Sequence, residues 1–439
     1  MDFLIKAVQL LLSLSILVIL HESGHFFFAR VFKVRVEKFY LFFNPWFSLF
    51  KIKKGETEYG IGWLPVGGYV KIAGMIDESM DKQQMAQPPQ PWEFRSQSTW
   101  KRLFIMIGGV LTNLLLAFLL FWLILFKWGE SYIPAENAKY GYTYHQIAYE
   151  IGLQEGDKIL KVGSLEIEDV HDITKYLLLD SPKNITLQRN GVIMEIDVPE
   201  DFAKQMLVEK VKQFADFRFP TIVDSIIPGS NADKGGLMKY DSIVSVNEKE
   251  VLFFNEFSKE LGNSKNEQIT IGFYRNGEFI QNNFDVDTNG KIGFAPKSPA
   301  IILGYASRDY GFFEALPAGI SKGLSILTDY VKQFKLVFSR EGAKQLGGFG
   351  AIGNLYPSSW NWQSFWYTTA FLSLILAFMN ILPVPALDGG HVLFLLYEIV
   401  TGRKPSDKFL EKAQVIGMII LFALMIYANG NDILRWLNK

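Results

Sequence analysis

The sequence predicts a multi-pass α-helical membrane protein of four spans, with a membrane-associated β-hairpin and two extracytoplasmic β-rich domains. Three observations carry that prediction. Four segments are apolar over lengths near the roughly 20 residues that a bilayer core demands. Lysine and arginine gather at particular ends of those segments. A long stretch between the second and third is strand-patterned and weakly repeated.

The spans run from about Phe3 to Ala29, Leu103 to Phe126, Phe365 to Leu382 and Val415 to Ala428. The first resembles a signal peptide in placing Lys6 ahead of an apolar core. It lacks a small-residue cleavage site, so it is read as retained. Arg30, Lys33, Arg35 and Lys38 follow it, and Lys101 and Arg102 precede the second span. Arg403, Lys404, Lys408 and Lys412 precede the fourth. Positive residues mark cytoplasmic loops. The region between spans two and three is therefore expected outside, with both termini.

Composition excludes several chemistries. The 439 residues carry a net charge of −1, which points to no nucleic-acid partner. There is no cysteine, so disulfides, thiolate catalysis and cysteine-ligated zinc or iron–sulfur centres are ruled out.

Between Phe47 and Gly74 alternation about a Lys54-Gly55 turn suggests a hairpin. The polar, proline-rich stretch from Asp77 to Gln97 reads as a loop. Outside, Ile151–Asp169 aligns with Gly235–Phe253, and each copy is followed by a short helix and a strand pair. Arg189-Asn190-Gly191 and Arg275-Asn276-Gly277 are strong hairpin turns. The chain is thus divided into 1–29 (first span), 30–102 (membrane-associated hairpin region), 103–127 (second span), and 128–200 and 201–290 (the β-rich repeats). An amphipathic helical connector at 291–362, a third span at 363–390, and a loop with the fourth span at 391–439 complete it.

The chemistry lies in "HESGH", His21 to His25, inside the first span. On a helix, residues i and i+4 share a face, so both imidazoles can hold one zinc ion with Glu22 as base. A structural histidine pair is the bland alternative, but ionisable groups at membrane depth are functional candidates by default. A catalytic zinc wants three protein ligands and one open position. His145 and His171 sit in the external repeat and read as ordinary surface residues. Asp388 and His391, in "NILPVPALDGGHV", both remain open as third ligand on spacing alone.

"HESGH" in the first span with "NILPVPALDGG" (Asn380 to Gly390) resembles the site-2 protease family of intramembrane zinc metalloproteases, the bacterial regulator of sigma-E protease group in particular. The resemblance implies zinc held by His21, His25 and Asp388, with Glu22 as general base. It implies that Asn380, Pro383 and Pro385 belong to the substrate-binding region, and leaves His391 without a metal. The external repeats would be PDZ-like, although Tyr240 stands where the PDZ signature has glycine. The hairpin would bind an unwound substrate by strand addition at Gly60, Ile61, Gly62 and Trp63. The same hairpin also reads as an interfacial aromatic anchor, as does Phe39–Phe50.

The implied activity is cleavage of single-span transmembrane proteins, such as an anti-sigma factor or remnant signal peptides, after a first external cut. Its setting is the lipid bilayer of a bacterial cytoplasmic (inner) membrane. Two rivals are a peptide-binding membrane scaffold with an inert metal site, and a zinc transporter. The joint presence of His21, Glu22, His25 and Asp388 argues against the scaffold. Glu22 and two external domains have no place in a transporter.

Overall fold

The computed structural model describes residues 2–65, 67–75 and 87–437. They form two compact units, one made of residues up to Gly129 with those from Asp309 onward, the other of Glu130–Arg308.

The first unit is mainly helical. Helix α1 (Asp2–Val31) and helix α2 (Thr99–Trp128) are each 30 residues long, enough to span with tilt. Helix α3 (Phe312–Leu336) is amphipathic and packs on α2, where Gly323 faces Phe118 and Gly319 lies against the Trp122 backbone. Helix α4 (Trp362–Ile381), helix α5 (Asp388–Thr401) and helix α6 (Asp407–Leu437) follow. Among the described residues α1, α2, α4 and α6 are long and apolar enough to cross a membrane.

The third expected span, drawn to residue 390, stops earlier. α4 ends at Ile381 because Pro383 and Pro385 lack the N–H that continues a helix and bias the preceding residue out of it. Asp388 therefore opens a separate helix.

The hairpin is part of a larger sheet. Strands β1 (Val36–Leu41), β2 (Phe50–Lys54), β3 (Thr57–Ile61) and β4 (Tyr69–Ile72) lie in the order β2-β3-β1-β4. β2 and β3 form the expected hairpin, and β1 pairs in parallel with β3 and antiparallel with β4. Local alternation predicts a hairpin but cannot reveal a parallel partner from before it. Of the expected polar loop, residues 77–86 lie outside the described residues. From there the chain makes a 3-10 turn at Phe94–Ser96, beside an Arg95–Glu93 ion pair of 2.6 Å.

The second unit contains the repeat. In the first copy a four-stranded sheet combines Lys158–Val162, Leu165–Glu166, Asn184–Arg189 and Val192–Asp197. In the second, Ser242–Val246, Lys249–Glu250, Gln268–Arg275 and Glu278–Asp285 follow the same order. Both Arg-Asn-Gly turns are hairpins. Asn190 and Asn276 have φ of 49° and 53° and the glycines after them 84° and 89°, the positive pair a tight two-residue turn requires.

The expected boundaries shift because each copy closes with a later strand. Ala215–Phe217 pairs with Tyr142–Tyr144, and Phe294–Pro296 with Val223–Ile226. Ala306–Arg308 pairs with Glu130–Tyr132, so residues 291–308 belong to this unit and not to a connector. The first copy also carries a helix, Phe202–Val208, that buries Phe202 and Met206.

Candidate active site

Helical periodicity in α1 sets His21 and His25 on one face, their rings edge to face at 4.9 Å. Asp388, the first residue of α5, meets them from the other end of the chain. The three facing atoms form a nearly equilateral triangle. His21 Nε2 and His25 Nε2 are 3.3 Å apart, and Asp388 Oδ2 lies 3.2 Å from the first and 3.3 Å from the second.

That triangle fits zinc. Tetrahedral coordination at about 2.0–2.1 Å places neighbouring donors about 3.3–3.4 Å apart. Asp388 Oδ2 is buried and among the described residues makes no hydrogen bond, a costly state that a cation relieves. Two imidazoles and one carboxylate also leave the fourth position free, as a catalytic site needs.

The proton positions on the imidazoles follow from α2. His25 Nδ1 donates to the Ile105 carbonyl at 2.8 Å, which leaves Nε2 with its lone pair. His21 Nδ1 faces the side-chain amide of Asn113 at 3.4 Å, and the Asn113 Oδ1 is buried without a partner. With the amide turned so that Oδ1 accepts from Nδ1–H, both groups are satisfied and His21 Nε2 is free to ligate. Between them stands Gly109, where a Cβ would strike His25 Nε2 and lie 2.6 Å from His21 Cε1. Ile105, Gly109 and Asn113 recur every four residues, so one face of α2 supports both histidines.

Gly24 and Gly108 let the two helix backbones touch. A Cβ on Gly108 would lie 2.7 Å from the Gly24 carbonyl oxygen. The sequence reading missed Gly109 and Asn113, although an asparagine inside an apolar span was a visible signal; the structure shows it to be fully buried.

Glu22 is half-buried. Just before β4, Gly68 approaches Val18 and the Glu22 side chain: a Cβ there would be 2.6 Å from Val18 Cγ1 and 3.6 Å from Glu22 Cγ. Among the described residues β4 is an edge strand, and its start lies beside Glu22. Asn380, in the last turn of α4, brings Nδ2 within 3.4 Å of His21 Nε2. Pro383 and Pro385 lie in the loop between Asn380 and Asp388.

The four hairpin residues stand elsewhere. Gly60 and Ile61 are in β3, whose two edges are filled by β1 and β2, so no further strand can add there. Gly60 faces the Tyr40 ring, Gly62 abuts the Phe43 carbonyl, and Trp63 donates to Pro45 at 2.9 Å while stacking on Trp46 and Phe47. The expected strand addition at Gly60–Trp63 is therefore corrected; among the described residues the edges of the sheet are β2 and β4, and β4 is the one next to Gly68 and Glu22.

His391 is outside the triangle. It lines a small cavity with Arg102 and Glu398, which pair at 2.6 Å. His145 is half-buried, and His171 is exposed beside Asp169. Both lie in the second unit.

A histidine–aspartate triangle that could hold a metal, with an adjacent glutamate and four long apolar helices among the described residues, fits a multi-pass membrane zinc metalloprotease. The chain belongs to peptidase family M50, whose profile matches residues 9–424. It is 30% identical to a Vibrio cholerae protein described as a candidate zinc metalloprotease, over 99% of both chains. It is 27% identical to the regulator of sigma E protease of Haemophilus influenzae, over 99% of this chain and 100% of that one.

Proposed function

We propose that this protease hydrolyses peptide bonds within the transmembrane segments of single-span membrane proteins, after a first cut has removed their external part. The observation that carries this reading is that His21, Glu22 and His25 lie on a membrane-length helix, where Asp388 meets them, beside a strand edge unpaired among the described residues. A transmembrane helix must unwind before its peptide bonds can be attacked. The edge of β4 offers the unwound stretch a partner strand.

His21, His25 and Asp388 would hold the zinc, which would supply Lewis-acid polarisation of the scissile carbonyl and acidify the attacking water. Glu22 takes the proton from that water and passes it to the leaving amine, general base becoming general acid. The Asn380 amide donates to the carbonyl oxygen as negative charge develops there. Ile105 and Asn113 keep each imidazole in its ligating tautomer.

In this reading the termini and the second unit face away from the cytoplasm in a bacterial inner membrane. The two repeats are PDZ-like domains that exclude substrates with bulky external parts or hold the newly made C-terminus. Anti-sigma factors and remnant signal peptides are the substrate classes. The similarity to a regulator of sigma E protease supports the first of these.

The test compares wild type with Glu22→Gln on a tagged single-span substrate shortened on its external side, with zinc content measured in parallel. Cleavage by wild type alone, with equal zinc, is expected. Equal cleavage by both would remove Glu22 from the chemistry.

A further inference from the structure

Helix α6 buries only Gln414 and Gly417. Both touch the same stretch of chain, the loop between α4 and Asp388. Gln414 Oε1 accepts the backbone N–H of Ala386 at 3.2 Å. One turn further on, Gly417 brings the α6 backbone against Pro385, and a Cβ there would strike the Pro385 carbonyl.

The loop's own hydrogen bonds show why this contact matters. Pro383 and Pro385 have no N–H to give. Leu382 donates to Met379 at 3.2 Å, Val384 to Leu382 at 2.7 Å, and Leu387 to Val384 at 3.1 Å. Each of these bonds ends within the loop or the last turn of α4. Ala386 is the loop donor whose acceptor comes from a separate helix. It also holds φ at +77°, a left-handed conformation disfavoured for a residue with a Cβ and kept only where the surroundings enforce it. Gln414 itself is only 4% exposed, and a buried amide on a lipid-facing helix is costly unless it is bonded.

We infer that Gln414 is a positioning residue for the metal centre: by holding Ala386 it fixes the direction from which Asp388, two residues on, reaches the two histidines. The inference rests on the zinc reading of His21, His25 and Asp388. Without the bond the strained peptide relaxes, and the Asp388 carboxylate leaves the triangle it makes with the two Nε2 atoms. α6 thereby becomes part of the metal site although it supplies no ligand.

The experiment uses the full-length protein in detergent, stripped of metal and titrated with Co2+, whose visible absorption reports a tetrahedral site, then competed with Zn2+. Gln414→Met keeps the volume and loses the acceptor, Gln414→Glu keeps an acceptor, and Ile419→Ala, at a 63% exposed position of α6, is the control. Gln414→Met is expected to bind Co2+ about 10–100-fold more weakly, the range for groups that orient metal ligands, with an altered absorption band. Gln414→Glu and the control should stay close to wild type. Wild-type affinity and spectrum in Gln414→Met overturn the inference, as does equal loss in Gln414→Met and Gln414→Glu, because the acceptor would then not be what matters. Gln414→Leu takes the place of Gln414→Met if the latter shows no cooperative thermal unfolding. Failure of wild type to bind Co2+ would overturn the zinc reading and this inference together, and is recognised before any variant is measured.

Discussion

Arg275 grips Asp241 with a two-pronged fork: Nε donates to Oδ1 at 2.8 Å and an Nη nitrogen to Oδ2 at 2.6 Å. Arg189 holds Asp157 at the same two distances in the other repeat. In each copy the aspartate also accepts a backbone N–H three residues before it, from Met238 or Gln154. The same arginine nitrogen reaches a glycine carbonyl, that of Gly236 or Gly152. The faint repeat in the sequence is thus one structural device used twice, tying the first turn of each copy to its Arg-Asn-Gly hairpin.

Removing the fork should unfold the copy that contains it. Asp241 is fully buried, so Arg275→Ala leaves a carboxylate unpaired in the interior. The expected cost is about 3–5 kcal/mol. Thermal unfolding of the full chain should show the second unit melting earlier, and an unchanged midpoint would refute the assignment.

Tyr240 sits beside that aspartate with φ +73°, where the first copy has Gly156 at +88°. The tyrosine ring is largely exposed and packs only lightly, with the Lys239 ammonium 5.2 Å from its centre. Tyr240→Gly relieves the strain and is expected to stabilise the unit by about 1 kcal/mol. A lower midpoint in the variant would show that the ring contributes more than the backbone loses.

Asn113 should matter to zinc although it is no ligand. Asn113→Leu removes the acceptor at His21 Nδ1, and a loss of about 10–100-fold in zinc affinity is expected. Asn113→Asp keeps an acceptor and should retain most of it. Metal content after dialysis against a graded chelator distinguishes the two, and equal retention would exclude the role.

His171 gives the second unit a pH dependence of known sign. Its hydrogen bond to Asp169, at 2.6 Å, is the main cause that raises its pKa above the usual histidine value. A raised folded-state pKa means that the stabilisation is fully present below the unfolded value, about 6.5, and is lost as pH rises through the folded value. The side chain is 69% exposed, so the effect is small. The unfolding midpoint should fall between pH 6 and 8 by more in wild type than in His171→Gln. Identical slopes would remove His171 as the cause.

Much of this protein was legible along the chain because the interactions concerned are local. Two histidines four apart share a helix face whatever surrounds them. Asn-Gly pairs turn a strand back because few residues accept positive φ in succession. Apolar runs of membrane length declare themselves by composition. The histidine pair, the glutamate beside it, the paired hairpins and the membrane-length helices could therefore all be read from short stretches of chain.

How distant residues meet depended on packing between elements far apart in the chain. Spacing left Asp388 and His391 open, three residues apart, until α5 turned one towards the histidines and the other towards Arg102 and Glu398. Asn113 and Gly109 gained their roles only when α2 packed on α1. Gly60 and Ile61 lost theirs because β1, from before the hairpin, pairs in parallel with β3 and leaves β4 as the edge beside Glu22. Each of these outcomes depends on chain closure across tens to hundreds of residues. No local periodicity records which surfaces such closures bring together.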